Sequence, residues 1–290
     1  MKYEAIRQHS SEHSVRKMCK VLGLKESAYY QWYARYEQRL GKRMEEGVLA
    51  EKIGKIFDAN RRVFGYRKMK RALEKEGIYL SEYSVRKIMR ENGFFPVVVK
   101  KYKPSRDGKP DGKYYENRVN QEFSADHPNE IWAGDITYIR TSLGFVYLAA
   151  VIDLYNREIV GYSISKTIDS ELTKAALGNA IAHAGGNVDG IIFHCDRGCQ
   201  YSSKSFQKML ESNKLVGSMS APACPYDNAC MESFFSSAKR ECIYRKKYDN
   251  IETVKTDLFE YIELFYNRKR MHATLGYLSP VEYRLSKIAV

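Results

Sequence analysis

IWAGDITYIR, residues 131–140, places Ile131, Ala133, Asp135, Thr137 and Ile139 on one side of an extended chain. This is the period-two pattern of a strand with one face turned inward. A carboxylate in the middle of such a face is expensive to bury unless it is paired or holds a metal. Two other acids stand in comparable isolation, Asp196 in IIFHCDRGCQYSS and Glu232 in CPYDNACMESFFSSAKRE. The first is mid-strand, the second closes a strand and the third rides on a helix. A fold uses such positions to gather distant carboxylates around divalent metal. Three hard oxygen donors suit Mg²⁺ or Mn²⁺, which accept phosphate oxygens as further ligands. A pair of such ions can activate one oxygen and stabilise another at a phosphodiester.

Working outward, strand-like runs cover Ile131–Ile139, Phe145–Asp153, Glu158–Ser165, Ile191–Cys195 and Val216–Met219. Helical runs cover Ser170–His183, Ser203–Ser212 and about Asp227 to Cys242. The order β-β-β-α-β-α-β-α describes an α/β fold, a mixed five-stranded sheet with flanking helices. Asp196 then projects from a carboxyl end of the sheet, where open α/β sheets place ligands. Asn228, Glu232 and Lys239 fall at i, i+4 and i+11, one helical face carrying an amide, a carboxylate and an ammonium. Beyond them lie an amphipathic helix over Glu252–Tyr266 and a capping box, Ser279-Pro280-Val281-Glu282.

The amino-terminal part has a different texture. Residues 1–120 carry 29 lysines and arginines against 15 acids, a net +14, whereas residues 121–290 carry 19 against 20. Such a basic segment attracts a polyanion and releases counterions on docking, so nucleic acid is the favoured partner. Val15, Met18, Cys19 and Leu22 recur at helical spacing before Gly23, and a second helix begins near Ser27, a helix-turn-helix pattern. Helices over Glu46–Ala59, Tyr66–Glu76 and Ser81–Asn92 repeat it, with Ser81 as N-cap. Arg67, Lys68, Arg71, Arg86, Lys87 and Arg90 form their basic face, while Phe64, Tyr66, Tyr79 and Tyr83 read as core. Lys100, Lys101 and Lys103, in a Pro- and Gly-rich linker, are candidates for an arm along a phosphate backbone.

The expected divisions are a helix-turn-helix segment over 1–45, a second over 46–98, the linker over 99–123, a catalytic core over 124–243 and a helical extension over 244–290. No apolar run approaches the length of a membrane span and no signal-like apolar segment opens the chain, so a soluble intracellular protein is expected. The six cysteines have no CxxC spacing, and His9 and His13 lack a matching pair, so reduced thiols and surface histidines are expected.

IWAGDITYI, FHCDRGCQYSS, PYDNACMESFFSSAKRE and YNRKRMHATLGYLSPVEYR resemble the DDE transposases of bacterial insertion sequences. The likeness is to the second-frame product of the insertion sequence 3 family, related to the retroviral integrase core, and it extends over nearly the whole chain. It implies an RNase H-like core in which Asp135, Asp196 and Glu232 hold two Mg²⁺ (or Mn²⁺) ions. It also implies that Lys239, Asn228, Arg197, Gln200 and Tyr201 lie along the DNA. The implied reaction exposes a 3′-hydroxyl at the element's end and transfers that strand, through a circular intermediate. The implied partners are double-stranded DNA, as terminal inverted repeats and target, a second copy or more at synapsis, and an upstream-frame product. The implied setting is the bacterial cytoplasm, at the nucleoid, with no membrane association. An RNase H-like nuclease or resolvase would share the core chemistry without strand transfer. A non-catalytic DNA-binding regulator would explain the basic half but not the acids.

Overall fold

The computed structural model describes residues 2–97, 114–221 and 228–288. The chain forms two compact units, Met1–Phe95 and Pro96–Val290. Lys100, Lys101 and Lys103 lie outside the described residues.

The first unit is helical: α1 (Lys2–Gln8), α2 (Val15–Val21), α3 (Glu26–Ala59), α4 (Tyr66–Lys75) and α5 (Glu82–Glu91). Gly23 takes the left-handed turn conformation, φ +67°, that ends α2 and admits α3. Ile6, Cys19 and Tyr29 are buried together under Tyr3, Met18, Leu22 and Trp32. A second helical cluster forms at the other end of α3, where α4 and α5 pack on it and on each other. Ile53, Phe57, Phe64, Met69, Leu73, Val85, Ile88 and Met89 are buried there. Ser81 caps α5 as expected, its hydroxyl accepting the Ser84 N–H at 3.0 Å.

Two expectations for this unit are corrected. The helix expected to begin at Glu46 begins at Glu26, so the 45/46 division falls inside one continuous helix. The intervening stretch, YEQRLGKRMEEGVL, has no proline and is mostly strong helix formers, enough to carry a helix through isolated glycines. Tyr79 and Tyr83, read as core, are 80% and 77% exposed. The inward phase of α5 is taken by Val85, Ile88 and Met89, which turns Tyr83 outward.

The second unit is built on a five-stranded sheet in the order β3-β2-β1-β4-β5. β1 (Ile131–Thr141), β2 (Gly144–Asp153) and β3 (Ile159–Ser165) are antiparallel neighbours. β4 (Ile192–Cys195) runs parallel to β1, and β5 (Val216–Met219) parallel to β4. With α6 (Ser170–His183), α7 (Cys199–Ser202), α8 (Lys204–Ser212) and α9 (Ala229–Glu241), this is the RNase H-like mixed sheet with flanking helices.

Trp132, Ala149, Val151, Leu172, Leu177, Phe193, Tyr201, Phe206 and Met219 make one continuous core between the sheet and α6–α8. Gly161 permits the closest approach: a Cβ there would stand 2.4 Å from Ala176 O and 2.5 Å from Ala180 N on α6.

The chain closes over β3. The helix α10 (Ile251–Phe259) passes into a π-helical stretch, Glu260–Tyr266. Asn267 follows and clamps the strand from both sides: its Nδ2 donates to Ile159 O at 3.0 Å, and the Ile159 N–H donates to its Oδ1 at 2.9 Å. The capping box forms ahead of α11 (Pro280–Ile288). The Ser279 N–H donates to Glu282 Oε2 at 2.8 Å and the Glu282 N–H donates to Ser279 Oγ at 3.3 Å. Among the described residues no helix is long and apolar enough to cross a membrane.

Candidate active site

The parallel pairing of β1 with β4 sets Ile131 beside Ile192, Trp132 beside Phe193 and Ala133 beside His194. Ala133 and His194 are the last pair, and each stands two residues before an acid, Asp135 and Asp196. Asp135 is buried, its Oδ1 accepting the Ile136 N–H at 2.7 Å. Asp196, half-buried just beyond the end of β4, accepts the Gly198 N–H on its Oδ1 at 2.9 Å. Gly198 is required here for space: a Cβ would come 2.8 Å from Asp196 Oδ1 and displace the carboxylate.

The two acids share an electrostatic neighbourhood. Burial pushes the Cys195 thiol well up, and Asp196 and Asp135 add to it. Burial does the same to the Tyr201 phenol, with Asp135 next in effect. A thiol held protonated inside the fold is inert as a nucleophile.

The helix α9 packs on β1. Asn228, at its N-terminus, is buried and donates Nδ2–H to Gly134 O at 3.2 Å, one residue before Asp135. Its Oδ1 has no hydrogen-bond partner among the described residues. Glu232 is exposed one turn along. Lys239, two turns further, holds Nζ 4.7 Å from the Tyr138 ring centroid. Burial lowers its pKa, and the Asp135 charge partly restores it.

Asp135 and Asp196 thus both act on the Cys195 thiol, and α9, which carries Glu232 and Lys239, packs on β1. Among the described residues, no three acidic, histidine or cysteine side chains stand close enough to enclose one ion. Hard carboxylate oxygens of this kind fit a divalent cation, and Glu232 is exposed in the first turn of α9.

Other expected residues have different surroundings. Tyr201 is 2% exposed, its ring packed against Phe193 and Phe206, so it belongs to the core and not to a surface. Arg197 donates Nε–H to Ser220 O at 2.9 Å and lies over the Tyr114 ring at 4.8 Å. Gln200 is half-buried on α7. On the helical unit, Arg86, Arg90 and Arg67 are exposed, Arg86 lying 5.9 Å from the Tyr66 ring. Lys68 lies over Phe64. Lys87 is paired with Glu46 at 3.1 Å, and Arg71 with Glu74 at 2.9 Å.

Three residues support the site from behind, two of them, His194 and Arg270, within the quoted motifs FHCDRGCQYSS and YNRKRMHATLGYLSPVEYR. Arg157 donates Nη1–H to the Cys230 thiol in the first turn of α9 and Nη2–H to Phe123 O at 2.7 Å. His194 is buried between two hydroxyls, Nδ1 to Ser218 Oγ at 2.9 Å and Nε2 to Ser220 Oγ at 3.2 Å. Arg270 grips Glu241 at the last turn of α9. Arg157, outside those motifs, had no sequence signal beyond its charge between apolar runs.

An integrase core domain matches residues 125–225, a second integrase core domain 232–288, and an HTH-like domain 44–102. Transposase InsF for insertion sequence IS3A of Escherichia coli is 36% identical over the full length of both chains. The chain belongs to the insertion sequence 3 family of transposases. A 31 kDa uncharacterized protein of insertion element IS600 from Shigella sonnei is 33% identical, covering 92% of this transposase and 97% of that protein.

Among solved structures, a chain of a simian T-cell lymphotropic virus intasome aligns with TM-score 0.47 and 18% identity, covering 74% of the transposase and 70% of that chain. The HTLV-2 integrase catalytic core in complex with magnesium aligns with TM-score 0.42 and 17% identity, covering 54% and 97%.

Proposed function

We propose that this transposase cleaves and joins DNA at the ends of its insertion sequence, with Asp135, Asp196 and Glu232 as the residues that hold a pair of Mg²⁺ or Mn²⁺ ions. The observation that carries this reading is the parallel register of β1 and β4. Its last pair, Ala133 and His194, stands two residues before each of the two acids, and α9 is fixed to Gly134, the residue before Asp135, by Asn228.

When bound, divalent ions supply Lewis-acid activation of an oxygen nucleophile and neutralise charge building on the phosphate. The residues of the chain do the rest. Asp135 and Asp196 present oxygen ligands from a rigid sheet, and Glu232 closes from the exposed turn of α9. Lys239 faces the DNA backbone beside them as a charged contact. Catalysis rests on holding the phosphodiester in line with the attacking hydroxyl, and no protein nucleophile takes part. The helix-turn-helix of α4 and α5 holds the element's terminal repeat, with α5 in the major groove and Arg67, Lys68, Arg71, Arg86, Lys87 and Arg90 around the backbone. The chain works in the bacterial cytoplasm, on nucleoid DNA.

The test is an oligonucleotide assay with the terminal inverted repeats that flank the gene. Asp135→Asn, Asp196→Asn and Glu232→Gln each abolish 3′-end cleavage and strand transfer while the variant protein still binds the repeat. Strand transfer by any of the three at the wild-type rate overturns the assignment.

A further inference from the structure

Leu143, 81% exposed, is the most exposed large apolar side chain of the second unit among the described residues, and Phe145, two residues on, is 48% exposed. They flank Gly144, which takes φ +118° at the turn between β1 and β2. Isolated apolar residues on a surface need no explanation. These two adjoin further rings. The antiparallel register sets Arg140 opposite Phe145 and Tyr138 opposite Tyr147, and residues opposite one another share a face. Tyr138 meets Phe145 edge to face, with ring centroids 5.6 Å apart.

The turn that carries them is held in place. The Ser142 N–H donates to Tyr248 O at 2.8 Å, the Leu143 N–H to Thr141 Oγ1 at 3.2 Å, and the Thr141 hydroxyl to Gly144 O at 3.0 Å. Its surroundings are basic. Arg140 is exposed on β1, and Tyr248, to which the turn is bonded, follows the exposed run Arg245-Lys246-Lys247. Lys246 is paired with Asp257, and Asp249 stands beside Ser142. Lys239 holds Nζ 4.7 Å from the Tyr138 ring centroid and also feels the charge of Asp135. Tyr138 itself is three residues past Asp135, about 10 Å along the strand.

An aromatic surface rimmed by cations matches a nucleotide, whose base stacks on a ring while its phosphate meets a positive charge. In a duplex both faces of a base are covered by its neighbours, so only an unpaired base has a face to offer. We propose that Phe145, with Tyr138 and Leu143 beside it, is a stacking platform for one unpaired base of the DNA near the phosphodiester that is cut. Its closeness to the cut rests on the assignment of Asp135 to the active site. A turn already held loses little freedom on capturing the base, so ordering the loop does not offset the stacking.

The full chain tests this on an oligonucleotide carrying the terminal repeat. Iodouracil, which cross-links under light to a ring stacked on it, replaces each base flanking the cut in turn. One position is expected to link to the wild type. Phe145→Ala loses most of that link, and Phe145→Tyr, which keeps a ring, recovers it. Cross-linking needs no cleavage, so Asp135→Asn is expected to keep the link. Failure of the metal-site assignment would leave the link in place, and failure of the platform would remove the link alone.

Cleavage gives a second readout. On intact DNA, Phe145→Ala is expected to slow 3′-end cleavage about tenfold. With an abasic nucleotide at the linking position, wild type and Phe145→Ala are expected to cleave at the same rate. A tenfold gap that persists on every abasic strand overturns the proposal. So does a link that is indifferent to Phe145→Ala, or one equally strong to bases deep in the paired repeat. Loss of self-association in Phe145→Ala with the link intact would make the turn a protein contact and overturn it too.

Discussion

Arg270 and Glu241 meet through two hydrogen bonds, Nε–H to Oε2 and Nη2–H to Oε1, both 2.8 Å, with only 12% and 11% of their side chains exposed. Tyr261 donates to the same Glu241 Oε2 at 2.8 Å, and Arg270 reaches Ser237 Oγ at 3.0 Å. The segment after Asn267 is thereby fastened to the last turn of α9, the helix whose first turn carries Glu232. Removing one partner of a buried pair leaves the other charge stranded, at a cost of about 3–5 kcal/mol. Arg270→Ala is expected to lower the unfolding free energy of the core by that much, read from urea denaturation. Replacing both, Arg270→Met with Glu241→Gln, costs clearly less. Equal losses from the single and double variants would show that the pair is not the source.

Asp153 gives a pH dependence of unusual sign. Burial raises its carboxyl pKa from 3.8 to about 6, against the pull of the Asn129 and Tyr155 amides that donate to it. The folded state therefore holds this proton more tightly than the unfolded chain. Its contribution to stability is full below pH 3.8 and is lost as pH rises through about 6. The change is on the order of 2–3 kcal/mol. Wild-type stability measured against Asp153→Asn is expected to decline between pH 4 and about 6 and then level off. A difference that grows over that range contradicts the shift.

Divalent metal has a readout apart from catalysis. On the proposed assignment, in which Glu232 joins Asp135 and Asp196 around the metal, Mg²⁺ or Mn²⁺ is expected to raise the thermal midpoint of the wild type. Binding to the folded state alone adds about 2.7 kcal/mol at a hundredfold excess over Kd. The rise is expected to be smaller in Glu232→Gln and absent in Asp135→Asn with Asp196→Asn. An undiminished rise in that double variant places the metal elsewhere.

On the helical unit, ion pairing separates candidates that the sequence left equal. Arg90 is exposed with no ion pair among the described residues, whereas Lys87 is already bound to Glu46. Arg90→Ala is expected to reduce the salt dependence of repeat binding by about one unit of slope. Lys87→Ala is expected to change it less, because Glu46 is released at the same time. The comparison is made by titrating labelled repeat DNA at several salt concentrations.

At Gly161 an alanine Cβ would lie 2.4 Å from the backbone of α6. Backbone cannot yield as a flexible side chain can, so Gly161→Ala is expected to destabilise the core by about 3 kcal/mol or more. Gly178→Ala, whose Cβ would meet only Met209 at 3.7 Å, is expected to be neutral or stabilising. Chemical denaturation of the two variants side by side checks the contrast.

The core was legible because its strands are apolar runs joined by short turns, buried along most of their length, and its helices carry caps. Ser170–His183 and Val216–Met219 have the limits their patterns suggest. The three acids stood out because each interrupts an apolar stretch. Which strands carry them side by side was not visible in the sequence, since β1 and β4 pair across some sixty residues of chain. Tyr83 and Tyr201 were misplaced for a common reason. A tyrosine is at home on either side of a surface, so only the phase of its helix decides, and that phase is set by neighbours such as Met89 and Phe206. The continuity of α3 was hidden because glycine reads as a stop even where its neighbours sustain the helix.

That continuity makes α3 a phase-locked spacer. Each residue of an α-helix adds 1.5 Å of length and about 100° of rotation. A single insertion between Glu37 and Val48 would swing the α1–α2 cluster a quarter-turn or more about the axis relative to α4 and α5. Seven inserted residues, close to two whole turns, would nearly restore its facing while carrying it about 10 Å further away. Length changes in this stretch are therefore tolerable only in steps of about a heptad, a rule that no flexible tether would impose.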